Sequence, residues 1–518
     1  MRDLKPIGAA IIGTALFLWP ARIGLLGDPF GEAHNHLAAH AQALLGLVVN
    51  YPAGWNVPLM DPPNLPFFAL GWLWSPVVAY NGMVVANVLL AALGGWQLGR
   101  EVGGRPGAWV GMAAVSWNPF LSGTIDFGVS EAWPLGWYAL HLAAMLRLRR
   151  EPNRNQAAWA GLFLGIFALS GWYHAAFALV VAPLLALHVR RRELWLTALV
   201  ALALVLPRFL DLLPHLDVWA DRAAGLTDPT DIRAWARTER YGIDLFMFGP
   251  ATEAATPSYS VYLGVATVLL ALLGGRAALP FIGMALPLWV LALGHWLRAG
   301  GEVLIDTPLP AGWLVSYCES AQFITHWYRA AGPAAVLLAA AAAAGAGRAR
   351  LHGGLLAAAI LGDSLWFSHT RWPRVAAPLS FPPEVEDMAA LDGPIFELPV
   401  DANRTSPERA GSRRPYWIYQ LRHQSPVAEH YEGADSVLRL SGQARTLQAA
   451  CGGLPGPRPG ALDEGMIAPG SESVDLYDLG FRHVVLHPAS APRGCADAVT
   501  SALGPPTGTT SWTLRSPD

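Results

Sequence analysis

The sequence predicts a polytopic α-helical membrane protein with a small C-terminal α/β soluble domain, and three observations predict it. Of 518 residues, 53% are hydrophobic and only 14% charged, with a mean hydropathy of +0.33. That is too apolar for an ordinary water-soluble chain of this length, and a bilayer is the solvent that accepts it. Long apolar runs recur, among them residues 6–26, 157–170, 175–188 and 330–347, each near the roughly 20 residues a spanning helix needs. Beyond Arg371 the pattern changes: residues 394–400 and 481–486 read as short strands among Pro- and Gly-rich turns.

Topology follows from the basic residues. Lys and Arg gather in short loops, at Arg2 and Lys5, Arg100 and Arg105, Arg147 to Arg154, Arg190 to Arg192, Arg276, and Arg348 and Arg350. The positive-inside rule puts all of these on the cytoplasmic face, so the chain crosses twice between consecutive basic loops. The predicted spans are 7–26, 82–99, 107–121, 132–146, 156–171, 174–188, 194–213, 258–274, 279–296, 330–347 and 354–369. About eleven spans with a cytoplasmic N-terminus put the C-terminal domain outside. Residues 65–80 are left out for parity, and Pro66, Trp72, Trp74 and Pro76 suit an interfacial or re-entrant helix. The first run follows Met1-Arg2-Asp3-Leu4-Lys5 without a small-residue cleavage site and reads as an uncleaved span. Two domains result: 1–370, with an outside loop and juxtamembrane helices at 27–81, and 371–518.

The net charge of −3 says nothing about nucleic acid, but no basic cluster interleaved with aromatics suggests a nucleic-acid groove, so that class is dropped. The three cysteines, Cys318, Cys451 and Cys495, form no CxxC pair, so thiolate cluster chemistry lacks ligands. Cys451 and Cys495 are either a disulfide, if their domain lies outside the cytoplasm, or two free thiols.

The candidate chemistry lies in the segments that topology puts outside. The first opens with Gly27-Asp28-Pro29-Phe30-Gly31-Glu32-Ala33-His34-Asn35-His36, and ionisable groups at a membrane boundary carry a functional hypothesis by default. In a helix starting near Gly31, Glu32 and His36 share one face and His40 continues it, giving a carboxylate that an imidazole can orient or protonate. The plainer reading makes Asp28 a helix cap and the rest a hydrated collar. A divalent metal on His34, His36 and Glu32 is a further option, although adjacent helical positions converge poorly. The second segment, 122–131, carries Asp126 and Glu131; two carboxylates with separated pKa values suit general acid/base work, whereas a cap and a hydrated turn need none of it. Gly171-Trp172-Tyr173-His174 forms a tight loop whose aromatics fit an interfacial belt, leaving His174 as a binding candidate beside Tyr173. Finally, Thr325-His326-Trp327-Tyr328-Arg329 places an Arg outside, against the charge bias. Such an Arg either grips a phosphate in bidentate fashion or anchors at the interface.

Taken together, Gly31-Glu32-Ala33-His34 after the first span, Tyr51-Pro52, Asp61-Pro62-Pro63, Tyr80-Asn81, Arg100 and Gly104, Trp117-Asn118-Pro119 and the acidic second segment resemble the GT-C superfamily of membrane glycosyltransferases. This superfamily includes protein O-mannosyltransferases, aminoarabinose transferases and oligosaccharyltransferases. Residues 62–174, Arg329, Phe396-Glu397-Leu398-Pro399 and Phe481-Arg482-His483-Val484-Val485-Leu486 are similar to an uncharacterised bacterial branch of GT-C-like multispan proteins with an extracytoplasmic C-terminal domain. The resemblance implies an inner-membrane enzyme that takes a sugar from a polyprenyl-phosphate-linked donor to a glycan, lipid or protein acceptor, by inverting hexosyl or pentosyl transfer. It implies Glu32 as base, supported by Asp126 and Asp28, with Arg329 and His326 on the leaving phosphate. His34, His36, Glu131, Tyr173 and His174 then line the substrate site. Ala33 after Glu32 departs from the family's paired Asp-Glu. The rival reading is a non-catalytic protein that binds or moves lipid-linked glycans. A transporter favours charges near the membrane midplane, and Arg208 and Asp211 lie near a span end instead. A scaffold whose outside domain recruits partners is the third reading.

Overall fold

The computed structural model describes residues 4–20, 23–27, 32–47, 59, 61–187, 189–213, 242–249, 261–300, 302–305, 307–318, 321, 324, 326–349, 351–370, 372–379, 381–399, 415–428, 437–438, 440–452, 473–488 and 491–515. The chain forms two compact units: Met1–Gly27 with Met60–Ala376, and Asp28–Leu59 with Ala377–Asp518.

The first unit is a helical bundle built around Ala331–Ala346, a helix almost wholly buried and made largely of alanine. It packs against Pro76–Ser116, Val265–Leu273 and Leu279–Ala292. Small side chains let helix backbones approach closely, which is how apolar helices gain contact when lipid offers no hydrophobic drive. Gly103 accordingly lies against the Ala343 carbonyl and Gly345 against that of Leu270.

Ser75 starts the long Pro76–Ser116 helix: its Oγ accepts the Val78 amide at 3.1 Å, and Pro76 fills the first turn, where no amide proton is needed. The helix reverses at Gly103 and Gly104, the latter at φ +63, a conformation that glycine adopts without a Cβ clash. Its two arms then run antiparallel, with Gly95 and Gly99 facing the backbone of Gly111 and Gly107. This reversal is the turn expected at Arg100 to Arg105. Nearby, Glu101 joins the arginine-rich end of Leu135–Arg150, accepting from Arg147 at 2.6 Å and Arg150 at 2.8 Å.

Among the described residues, three helical runs are long and apolar enough to cross a membrane: Pro76–Phe127, Arg191–Asp211 and Trp327–Ala346. Lys5–Phe17, Trp172–Ala186, Leu279–Ala292 and Gly353–Phe367 are apolar but shorter. Among the described residues the exact tally of eleven spans is not confirmed, and glycine or proline stands at or inside several of the apolar runs. Gly264 at φ +79 opens Val265–Leu273, and Pro183 and Pro287 sit inside their helices. The 65–80 stretch also divides, into Leu65–Trp72 and the start of the long helix, with Leu70, Leu73 and Trp74 exposed. Arg191–Leu212 presents Trp195, Leu199, Leu202, Leu206 and Phe209 along one exposed stripe, a surface that suits lipid and not water.

The second unit holds a three-stranded sheet. Ile395–Leu398 pairs parallel with His483–Leu486, Ile395 opposite His483, and His483–Leu486 pairs antiparallel with Ser511–Thr513. Both faces of the central pair are covered, so apolar side chains point to both sides of these strands, with Glu397 and His483 the polar members. One face packs Phe396, Leu398, Val484 and Leu486 against Cys451, Cys495 and Trp512. The other packs Ile395 and Val485 against Val385 and Met388 of Pro383–Met388. Of the two sequence alternatives for Cys451 and Cys495, the disulfide is present, joining Gly442–Gly452 to Cys495–Leu503. The Ala33–Leu45 helix belongs to this unit and packs on Pro415–His423.

Candidate functional site

In the bundle, the short turns Ser130–Ala132 and Trp327–Ala330 bring Glu131 and Arg329 together, with Arg329 Nη2 2.9 Å from Glu131 Oε1. Both side chains are buried, at 10% and 5% exposure, so each charge depends on the other. The guanidinium also lies 4.9 Å from the Tyr173 ring centre and 6.0 Å from that of Tyr328, the stacking that suits a planar cation. Tyr173 and Tyr328 each meet His326 edge-on, at 5.8 and 5.9 Å. His174, almost fully buried, bonds the Glu131 backbone and packs edge-on to Phe120. Five of the residues singled out in the sequence, Glu131, Tyr173, His174, His326 and Arg329, therefore form one cluster. Within it, Arg329 Nε has no hydrogen-bond partner among the described residues.

Asp126 sits apart from that pair. The sequence reading puts it in a loop, but Asn118 caps a new helix by accepting the Leu121 amide at 2.8 Å, and Pro119–Phe127 runs until Gly128 in the left-handed region ends it. Asp126 thus lies in the last helical turn, buried, with Arg374 Nη1 3.3 Å from both carboxylate oxygens. Arg374 also donates to the Phe17 carbonyl at 2.8 Å and covers the Phe17 ring.

In the second unit Glu32 stands immediately before Ala33–Leu45, its Oε2 3.6 Å from His36 Nε2. Glu32 is 29% exposed and His36 14%, so this pair looks outward from the packed side of its helix. His34 lies on that packed side, with Nε2 3.1 Å from the Pro378 carbonyl; burial pushes its pKa down, and the carbonyl only partly offsets this. His40, expected to extend the Glu32 face, is fully buried and bonds the His36 carbonyl at 2.7 Å. His34, Glu32 and His36 do not converge, and no group of three or more metal-ligating side chains exists among the described residues. Asp28 lies outside them.

Sequence reasoning missed Arg374, although it too is an Arg on the side that topology calls outside. It also passed over a buried polar network in the bundle. Asn64 donates to Asp61 at 2.8 Å, and Asn87 donates to Asn64 at 2.8 Å. Asn64 also approaches the Ser130 carbonyl at 3.5 Å, next to Glu131. The signal was Asp61-Pro62-Pro63-Asn64, where the prolines start a turn and leave flanking polar side chains with no role in water.

No protein-family model and no curated protein sequence matches the chain. Among solved structures, it is similar to ArnT from Cupriavidus metallidurans bound to undecaprenyl phosphate, at 17% identity and a TM-score of 0.37, over 68% of this chain and 60% of that one. It is also similar to the archaeal oligosaccharyltransferase AglB from Archaeoglobus fulgidus, in complex with an inhibitory peptide and a dolichol-phosphate, at 12% identity and a TM-score of 0.41, over 94% and 69%. The chain spans about 60% of the length of ArnT, and both are partial likenesses of overall architecture.

Proposed function

We propose that the chain is a membrane glycosyltransferase that moves a sugar from a polyprenyl-phosphate-linked donor to an acceptor on the extracytoplasmic face of a bacterial inner membrane. One observation carries the choice of base. Of the candidate carboxylates among the described residues, Asp126 and Glu131 are buried, at 7% and 10% exposure, whereas Glu32 is 29% exposed with the His36 imidazole 3.6 Å away. A base must reach the proton that it removes.

In this reading the acceptor hydroxyl oxygen attacks the anomeric carbon in line and its proton passes to Glu32. The bond from that carbon to the phosphate oxygen breaks, and the polyprenyl phosphate leaves with the electron pair. His36 orients the Glu32 carboxylate. The resemblance gives the leaving phosphate to Arg329, which Glu131 holds at 2.9 Å; a charge-assisted bond of this kind stabilises a leaving oxyanion. Asp126 acts through Arg374, holding the chain after the last apolar helix against the end of the first. No step runs through a metal. The Cys451–Cys495 disulfide supports an outside location for the C-terminal residues, since such bonds persist in oxidising compartments. About eleven crossings with a cytoplasmic N-terminus remain the topology that satisfies the charge bias.

The test is sugar release from native polyprenyl-phosphate donors by purified protein in proteoliposomes, with donor retention measured alongside. Transfer by wild type that is lost in Glu32→Gln, with donor retention unchanged, supports the reading. Donor retention by wild type without transfer to any acceptor fraction overturns it in favour of a binding or transport role.

A further inference from the structure

A second buried charge cluster lies in the unit that carries Glu32, and the chemistry above leaves it unused. His487 follows the His483–Leu486 strand and is 2% exposed. Its Nε2 is 3.1 Å from Glu397 Oε1, and its Nδ1 is 3.7 Å from Glu384 Oε1. Glu397 comes from Ile395–Leu398 and Glu384 from Pro383–Met388. A neutral imidazole has one N–H, and its other nitrogen would turn a lone pair toward a carboxylate; the imidazolium presents an N–H to each, hydrogen-bonded to Glu397 and at ion-pair distance from Glu384. Glu397, buried, and Glu384, partly exposed, flank the ring and favour its charged form; burial raises the Glu397 carboxyl, and the His487 ring beside it offsets this in part. Burial alone would lower the His487 pKa, but the Glu384 and Glu397 carboxylates beside the ring outweigh it and raise the value.

The Pro415–His423 helix rests on this cluster. Its Tyr419 ring lies 5.2 Å from the His487 ring. Its His423 is held neutral by burial and by the neighbouring His487 charge, which push its pKa down to about 3. Burial and then the two carboxylates push the Tyr419 hydroxyl up, keeping it protonated. Arg422 bonds Glu386 at 2.6 Å, a second tie to Pro383–Met388. From the same helix Gln420 accepts from Gln42 of Ala33–Leu45 at 2.9 Å, while its own amide donates to the Ser425 carbonyl at 3.0 Å. Gln42 and His34 thus fasten the two ends of the face opposite Glu32 and His36.

We propose that His487 is a positioning residue for the Glu32–His36 pair: as an imidazolium clamped between Glu384 and Glu397, it fixes the Pro415–His423 helix on which Gln420 seats the Ala33–Leu45 helix. Its catalytic consequence rests on Glu32 being the base; the mechanical claim does not. The clamp has a pH sense. A histidine whose folded pKa is raised contributes fully below its ordinary value of 6.5 and loses that contribution as pH rises through the folded value. Glu384, Glu397, Tyr419 and His423 are the titratable groups facing it.

Two measurements on the full chain in lipid nanodiscs test this without substrate. In the nitrogen spectrum of histidine-labelled protein at pH 7.5, the His487 resonances, assigned by their loss in His487→Gln, should show both ring nitrogens protonated; a neutral tautomer overturns the proposal. In hydrogen exchange, Glu397→Gln and His487→Gln should speed exchange across residues 33–45 and 415–423 by about tenfold or more, while 495–503 keeps wild-type protection as the internal check of folding. Unchanged exchange in 33–45 overturns the proposal. If either variant loses that check, Glu384→Gln, which keeps the Glu397 contact, replaces it with the same two outcomes. If transfer is observed, kcat should fall in these variants with the donor KM unchanged, so a failure of Glu32 as base is read separately from a failure of the clamp.

Discussion

Glu131 and Arg329 come from segments far apart in sequence and meet at 2.9 Å with little solvent on either side. Replacing one partner of such a pair strands a buried charge, which costs about 3–5 kcal/mol, whereas removing both costs less. Glu131→Gln and Arg329→Ala should therefore each lower the unfolding midpoint strongly, and the double variant should lose less than their sum in a double-mutant cycle; strict additivity contradicts the pairing. The sequence marked Arg329 through its charge bias and Glu131 through its loop, but had no signal that one satisfies the other. Asp126 was legible as a candidate carboxylate. Its partner Arg374 was not, because pairing across the bundle is a property of packing and not of local pattern.

At the scale of elements, two devices can be probed. The antiparallel arms of Pro76–Ser116 touch through Gly95, Gly99, Gly107 and Gly111, where backbone meets backbone. Gly99→Leu should force the arms apart and cost about 1–3 kcal/mol or more, seen as a lower yield of monodisperse protein, whereas Gly82→Leu, at a site open to a Cβ, should be tolerated. The second device is the pair of depressed histidines in the other unit. His34 and His423 fold neutral, with His423 at about 3, so the unfolded chain binds their protons first as pH falls. Their contribution is complete above 6.5, the ordinary value, and is lost as pH drops toward 3. Thermal midpoints should decline over that window, and His423→Gln should flatten the decline; an equal slope in wild type and variant contradicts the assignment. The two strands were readable here because Ile395–Leu398 and His483–Leu486 are short, mostly apolar and bounded by turns. Helix breaks at Asn118 and Gly264 were missed because hydropathy outweighs a single cap or glycine in a window of span length.

For the whole molecule, the bundle and the small sheet were legible from composition and periodicity, whereas the grouping of Asp28–Leu59 with Ala377–Asp518 depends on contacts such as Gln42 with Gln420 that no local pattern carries. Cysteine accounting offers a check at this scale: an alkylating reagent applied under non-reducing, denaturing conditions should label Cys318 alone, and reduction should release Cys451 and Cys495 as well. Labelling of all three before reduction contradicts the disulfide and the outside location inferred from it. The central claim is that Glu32 is the base, and a single-turnover comparison of wild type with Glu32→Gln at saturating donor tests it most directly. A fall in transfer of about 10²–10⁴-fold with donor binding intact is the predicted result; wild-type transfer by Glu32→Gln would contradict it.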